Sequence, residues 1–331
     1  MRRGWAIAFG FLLLWGAGSG NAEEAVFNLD WIPYGRDAGV YAAKAEGFYQ
    51  KEGFSVSFLK GQGSADSIKR LELAKADYGM PDAGTLVISR SKGAKVRLLG
   101  AIHDKSTITI YYLEGSGIKT PKDFEGKTLA DAPFSSSHRV FPAFALANGA
   151  DPTKVKWVFM DPGSLAPSLL AGKVDGVTIY ITNLPSVRQA AERAGKKLKW
   201  MLYADHGLDT YANSLATTDA RIAEKPDQVR LFVHATMKGV AWAVENPEKA
   251  ADHLLKEHPT LHRETALEHW KITIEHLLTP RAQEKGIGYI DRGKMEFTRD
   301  KMLEAHKMDV KMPVEELFTN DFLPKIFPKK S

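Results

Sequence analysis

The sequence predicts an α/β fold of two lobes joined by two crossover segments, with a helical C-terminal part packed on the first lobe. Three observations predict it. Strand-like and helix-like segments alternate from residue 26 to residue 102, the rhythm of a mainly parallel sheet. The same rhythm restarts at residue 108. Beyond Thr218 only helical patterns follow.

The chain of 331 residues exceeds what one average core holds, so two domains are expected. Hydrophobic residues make up 44% and charged residues 26%, which excludes wholesale disorder. Residues 1–22 read as an export leader. Arg2 and Arg3 open it, residues 5–15 are apolar, and Gly20-Asn21-Ala22 offers small residues for cleavage after Ala22. The apolar run is short for a bilayer span. Cysteine is absent, which excludes disulfides, thiolate metal sites, cysteine nucleophiles and a cysteine-borne lipid anchor. A freely soluble product in a Gram-negative periplasm is therefore expected. The net charge is +5, but two of the basic residues sit in the leader. The rest are dispersed, with Lys196-Lys197 the densest run, so nucleic acid is not an expected partner.

In the first lobe, residues 26–29 form a short strand pattern. Residues 38–50 follow as a helix, because Val40, Tyr41, Ala45 and Phe48 recur near 3.6-residue spacing. Gly53 ends it, and residues 54–58 alternate as a strand. Gly61-Gln62-Gly63-Ser64 breaks the chain before a helix at 65–75. A strand at 77–80, a short helix at 86–91 and a strand at 96–102 complete the series.

In the second lobe, a strand at 108–112 leads to a short helix and turn at 120–127, with Pro121 near its start and Gly126 past its end. Strands follow at 128–130, 155–160 and 174–180, with helices at 138–148 and 164–170 between them. The boundaries expected are 23–108 plus 208–331 for lobe 1 and 109–207 for lobe 2. The crossovers fall near 103–112 and 203–213. Leu73-Ala74-Lys75-Ala76-Asp77-Tyr78-Gly79 resembles Leu170-Ala171-Gly172-Lys173-Val174-Asp175-Gly176, given one gap. Such a match arises by chance between two helix–strand loops, or it marks two lobes of similar architecture. Helices are then expected at 221–245, after Asn246-Pro247, at 264–278 and at 294–306.

Several motifs carry a family resemblance. Asp30-Trp31-Ile32-Pro33, Gly39-Val40-Tyr41-Ala42-Ala43-Lys44, Gly47-Phe48-Tyr49 and Glu52-Gly53-Phe54 look like the opening of periplasmic binding proteins for thiamine-pyrimidine precursors, nitrate and sulfonates. Phe124 to Lys127, Leu170 to Asp175 and the close, Phe318 to Pro324, also match. The resemblance covers nearly all of the chain beyond the leader. It implies a type II periplasmic-binding-protein clamp that holds a small-molecule ligand between its lobes and delivers it to an ABC transporter permease at the inner membrane. One branch of the family makes the thiamine pyrimidine itself, consuming its own histidine with a lysine-bound pyridoxal cofactor and iron. That branch carries a cysteine-rich motif. With no cysteine and an export leader, this chain is expected to be a monomeric binder, not an enzyme, and no cofactor or metal is expected.

Ligands of α/β sheets bind outside the carboxyl ends of the strands. That places Trp31 and Tyr34 after the first strand, where an indole stacks on a flat ligand or packs in the interior. Asp37 faces the cleft or caps the next helix. Ser64, in the glycine-rich turn, presents a polar edge or an N-cap, but lacks the ending of a nucleotide P-loop. Asp82 suits a ring N–H or an amine. In lobe 2, Phe134, Ser135, Ser136, Ser137 and His138 gather hydroxyls and N–H groups at a helix start, a geometry for an anionic group. Arg139 adds charge there. Asp161, Tyr180 and Asn183 follow later strands, and Tyr211 and Asn213 lie past the second crossover. No catalytic motif is present. His262, His269 and His276 recur every seventh residue and are expected as a solvated stripe.

Overall fold

The computed structural model describes residues 22–329. The expected leader lies outside the described residues, save Ala22. Strands β1 (Glu23–Asn28), β2 (Phe54–Leu59), β3 (Tyr78–Gly79) and β4 (Val96–Ala101) alternate with helices α1 (Ala38–Ala45), α2 (Phe48–Lys51), α3 (Ser64–Glu72) and α4 (Ala83–Arg90). The expected single helix over 38–50 is split, because Gly47 takes a left-handed φ of 71° between α1 and α2. Next come β5 (Thr109–Leu113), β6 (Thr128–Asp131), β7 (Lys156–Phe159), β8 (Gly176–Thr178) and β9 (Leu198–Leu202), with α5 (Ser137–Ala147), α6 (Leu165–Leu170) and α7 (Leu184–Arg193). The chain ends with β10 (Ser214–Thr218), α8 (Asp219–Glu224), α9 (Pro226–Glu245), α10 (Pro247–Glu257), α11 (Arg263–Leu277), α12 (Pro280–Lys285) and α13 (Arg292–Ala305).

Two five-stranded sheets result, in the orders β2-β1-β3-β10-β4 and β7-β6-β8-β5-β9. They share one plan. In each, a single strand runs against the others. β10 is antiparallel to β3 and β4, and β5 is antiparallel to β8 and β9. Each odd strand is the first one laid down after the chain has crossed from the other lobe. No helix precedes it to carry the chain back to the starting edge, so it enters from the cleft side and runs away from it.

The internal sequence match has a structural counterpart. Asp77 N–H donates to the Val26 carbonyl at 2.8 Å while the Val26 N–H donates to Asp77 Oδ2 at 2.8 Å. Asp175 N–H donates to the Thr128 carbonyl at 2.8 Å while the Thr128 N–H donates to Asp175 Oδ2 at 2.7 Å. The same aspartate closes the same reciprocal pair at the start of a strand in both lobes. This favours two lobes of similar architecture over a chance match.

The first lobe's core is aromatic. Phe232 of α9 stacks on Tyr78 with ring centroids 3.5 Å apart and meets Phe27 and Phe54 edge-on. The helical tail packs on lobe 1 through α9 and α10, which both lie against α1. Later helices bridge the lobes. His269 of α11 shares a hydrogen bond with Ser186 of α7 at 2.9 Å, and His306 beyond α13 meets the Arg139 carbonyl at 2.7 Å. His269 and His276 are buried and only His262 is exposed, so the expected solvated stripe is not formed. The segment after α13 reaches back to β4, where Leu98 bonds to Leu317 and Thr319. That pairing covers an otherwise open sheet edge.

The lobes touch across the cleft. The Ala65 N–H donates to the Phe134 carbonyl at 3.2 Å. Gly63 beside it has a φ of 131°, and a Cβ there would stand 2.2 Å from the Phe134 carbonyl oxygen. Gly63→Ala should therefore keep the lobes apart. Small-angle scattering of the ligand-saturated variant should show a larger radius of gyration than the saturated wild type, with affinity reduced at least about tenfold. Equal compaction of the two proteins would mean that this contact does not limit closure.

Candidate functional site

The cleft floor is set by an irregular backbone turn. Asp30, just past β1, is left-handed with φ 71°, a conformation that costs a non-glycine residue on the order of 1 kcal/mol. Two bonds hold it. The Gly63 N–H donates to the Asp30 carbonyl at 2.7 Å and the Gly61 N–H to the Trp31 carbonyl at 3.2 Å. The turn thereby zips the loop after β1 to the loop after β2. Tyr34 then reaches across, its hydroxyl 2.6 Å from Thr182 Oγ1 of the second lobe.

Arg36 lies buried behind this turn. Its Nη2 donates to the Leu29 carbonyl at 3.0 Å, its Nε to Asp37 Oδ1 at 3.2 Å and its Nη1 to Asn213 Oδ1 at 3.4 Å. The guanidinium lies 4.9 Å from the Tyr34 ring centroid and 5.9 Å from that of Tyr180. Asn213 donates onward to Asp30 Oδ2 at 3.0 Å and to the Met80 carbonyl at 2.5 Å. Burial pushes the Asp30 carboxyl up to about 6, against the pull of Arg36. Burial likewise raises Asp82 to about 7, with the Asp30 charge adding to the rise.

The serine loop divides its work. Ser135 Oγ accepts from the Ser137 N–H at 3.2 Å. Ser136 Oγ pairs with the Tyr180 hydroxyl at 2.5 Å. Of these three hydroxyls, Ser137 Oγ is the one buried without a hydrogen-bond partner among the described residues. Asp131 fills the first turn of α5, accepting from the His138 N–H at 2.9 Å and from His138 Nδ1 at 3.0 Å. An anion at this helix start would meet that carboxylate, so the geometry does not favour the anionic grip expected of the loop.

A cavity of about 20 Å³ lies between the lobes. Of the residues expected in the cleft, Trp31, Tyr34, Ser135, Ser136, Ser137, Tyr180 and Asn183 line it. The others stand elsewhere. Asp37 is held by Arg36 and by the Tyr34 N–H. Ser64 Oγ accepts from the Asp82 N–H, and Asp82 caps α4 through the Thr85 N–H at 2.8 Å. Phe134 and Asp161 are exposed, and His138 packs against Phe159. Tyr211 is buried, its hydroxyl accepting from the Asp291 N–H at 2.7 Å. Asp30, Arg36, Gly63, Thr178 and Ile179 complete the lining, and of these Asp30, Thr178 and Ile179 had not been singled out as site residues. Their common signal was position after a strand, which Asp30 and Arg36 shared with Trp31.

Because the native carboxyl of Asp82 titrates well above the ordinary aspartate range, the folded state binds more protons than the unfolded one between about pH 4 and 7. This group's contribution to stability is therefore present at low pH and lost as pH rises through 7. It amounts to on the order of 4 kcal/mol. Asp82→Asn retains a capping oxygen, so the variant should gain stability relative to wild type from pH 5 to 8 in denaturant titrations. A constant difference would show that Asp82 ionises normally.

Several proteins share this organisation. The chain is 24% identical over 316 residues to the riboflavin-binding protein RibY of Chloroflexus aurantiacus, covering 91% of this chain and 86% of that protein. It is 24% identical over 236 residues to the formylaminopyrimidine-binding protein of Halalkalibacterium halodurans, covering 70% of each. It is 23% identical over 235 residues to a 4-amino-5-hydroxymethyl-2-methylpyrimidine phosphate synthase of Legionella pneumophila, covering 70% of this chain and 73% of that one. The fold matches the periplasmic aliphatic sulphonate binding protein SsuA of Escherichia coli with a TM-score of 0.67 and 16% identity, covering 89% and 91% of the two chains. It also matches the nitrate-binding protein NrtA of Synechocystis with a TM-score of 0.62 and 13% identity, covering 90% and 86%. The architecture is thus the periplasmic-binding-protein clamp. The family model described as NMT1/THI5 like matches residues 36–250, and the chain belongs to that family.

Proposed function

We propose that the protein is the solute-binding component of an ABC importer, capturing a small, flat heterocyclic or aromatic ligand, such as a thiamine-pyrimidine precursor, without turnover. One observation carries this reading. The interlobe cavity is walled by Trp31, Tyr34 and Tyr180, with the Ser137 hydroxyl free beside them. Aromatic faces suit a flat ring, and a few polar groups fix its edge. The names of two relatives, for riboflavin and for a formylaminopyrimidine, support a heterocycle over a bare anion. The charge balance agrees. One guanidinium, Arg36, faces Asp30 with Asp37 and Asp82 nearby, which favours a neutral or hydrogen-bond-donating ring. The product would act as a monomer in the periplasm after loss of its leader and would hand its ligand to a permease. No helix among the described residues is long and apolar enough to cross a membrane.

The alternative is a pyrimidine synthase, the name that some relatives bear. The residues present do not fit its pyridoxal cofactor. The cavity lining contains neither a lysine to hold the aldehyde nor a histidine. No cluster of three or more metal-ligating side chains occurs among the described residues, and the chain has no cysteine.

The test is a thermal-shift screen of aminopyrimidines, flavins, aromatic acids, sulfonates and nitrate, followed by calorimetry. Trp31→Ala should weaken binding of the hit several-fold, by on the order of 1 kcal/mol or more, without moving the melting temperature of the ligand-free protein. Ser137→Ala should lose about 1 kcal/mol of binding. An unchanged affinity in both variants would remove the ligand from this cavity. Visible absorbance of the purified protein together with product formation would favour the synthase instead.

A further inference from the structure

The lobes grip each other beside the cleft as well as inside it. Tyr34 of lobe 1 and His269 of the helical C-terminal part bond to one short stretch of lobe 2. The Tyr34 hydroxyl lies 2.6 Å from Thr182 Oγ1, and His269 Nε2 lies 2.9 Å from Ser186 Oγ in the first turn of α7. The two side chains also touch. The His269 ring meets the Tyr34 ring edge-on, with centroids 5.2 Å apart. Behind them the backbone is flush. A Cβ on Gly35 would stand 2.1 Å from the Ala266 carbonyl oxygen and 2.6 Å from His269 Cβ. α11 therefore presses directly on the turn that carries Tyr34. His269 itself does not line the interlobe cavity.

His269 is buried, and burial pushes its imidazole down to about 4, so the ring is neutral at ordinary pH. Its Nδ1 has no hydrogen-bond partner among the described residues. A buried ring nitrogen left unpaired is destabilising, so packing alone would be served better by an apolar side chain. The bond to Ser186 is what the imidazole supplies and an apolar residue could not. We propose that His269 is a positioning residue for lobe closure: it fastens α11 to Ser186 and sets the Tyr34 ring so that its hydroxyl meets Thr182. Separation of the lobes then breaks two adjacent bonds together. α11 thereby shares with the two crossovers the control of the lobe angle. This goes beyond the proposed function and holds for any ligand.

The experiment measures the lobe separation of the ligand-free protein. Because the chain has no cysteine, Lys60→Cys and Lys173→Cys place one spin label on an exposed site of each lobe. Distances between the labels are read by double electron–electron resonance. The labelled protein is compared with His269→Phe, Ser186→Ala and the two combined, with melting temperatures as a check on folding. Phe keeps a ring against Tyr34 and loses only the bond. Each single substitution should lower the ratio of short to long distances about fivefold, the loss of one hydrogen bond between uncharged groups. The combined variant should fall no further, since both substitutions remove the same bond. His269→Ala removes the ring as well, and Tyr34→Phe should then lower the ratio less than it does with His269 in place. Unchanged ratios in both single variants overturn the proposal, as does an additive combined variant. Equal effects of Tyr34→Phe in the two backgrounds overturn the positioning of Tyr34. If a His269 variant does not fold, Ser186→Ala decides alone, and an unchanged ratio there overturns the proposal. No ligand is used, so failure here leaves the ligand reading intact.

Discussion

The structure turns on one buried cation. Arg36 is 4% exposed and donates hydrogen bonds to three different parts of the first lobe: the Leu29 carbonyl just past β1, its neighbour Asp37, and Asn213 at the threshold of β10. A guanidinium removed from water is tolerated only when its donors are paired and opposite charge is close. Asp37 and Asp30 supply that charge, and Asn213 links Arg36 to Asp30 by accepting from one and donating to the other. The aromatic walls lie against the same guanidinium, since Tyr34 and Tyr180 both present their rings to it. Arg36 thus orders the cleft floor, one wall from each lobe, and the turn at Asp30.

The same network reaches the connections between the lobes. Ile102 and His103, at the start of the first crossover, both donate their N–H groups to the Asn213 carbonyl at 3.0 Å. Asn213 closes the second crossover. The two connections are therefore paired with each other, and the residue that pairs them also touches the cleft floor through its side chain. A ligand that altered Asp30 or Arg36 would therefore reach the network that pairs the two connections. The lobes are held together here by contacts from several elements, including the Tyr34–Thr182 and Ser186–His269 bonds.

Much of the architecture was legible along the chain. The β-α rhythm located eight of the ten strands, because a parallel sheet needs a helix between strands and the alternation leaves a periodic trace. The repeated Lys-x-Asp pattern pointed to two similar lobes, and Asp77 and Asp175 do the same task. The strands that escaped were β9 and β10. β9, Leu198–Leu202, follows a lysine pair and includes another lysine. β10, Ser214–Thr218, is a run of small residues with a weak strand pattern, and its place is fixed by β3 and β4 on either side. α7 was hidden for a related reason: Pro185 and several polar residues dilute its apolar face.

The candidate site was legible by position and illegible by role. A strand's carboxyl end can be read from the sequence, so Trp31, Tyr34, the serine loop, Tyr180 and Asn183 could be placed near the cleft. Which serine pairs with Tyr180 depends on where β8 and the loop after it lie in space, and the first turn of α5 is served by Asp131 of the preceding strand rather than by a serine. The raised carboxyls of Asp30 and Asp82 have no sequence signature either, because burial is a property of the packed lobes. The sequence by itself determined the alternation of elements, the absence of thiol chemistry and the family, since these follow from local periodicity, composition and motif. Only the tertiary structure decided the charge of the cleft, the pairing of its hydroxyls and the contact of its two lobes, because each depends on groups up to 183 residues apart meeting where water is excluded.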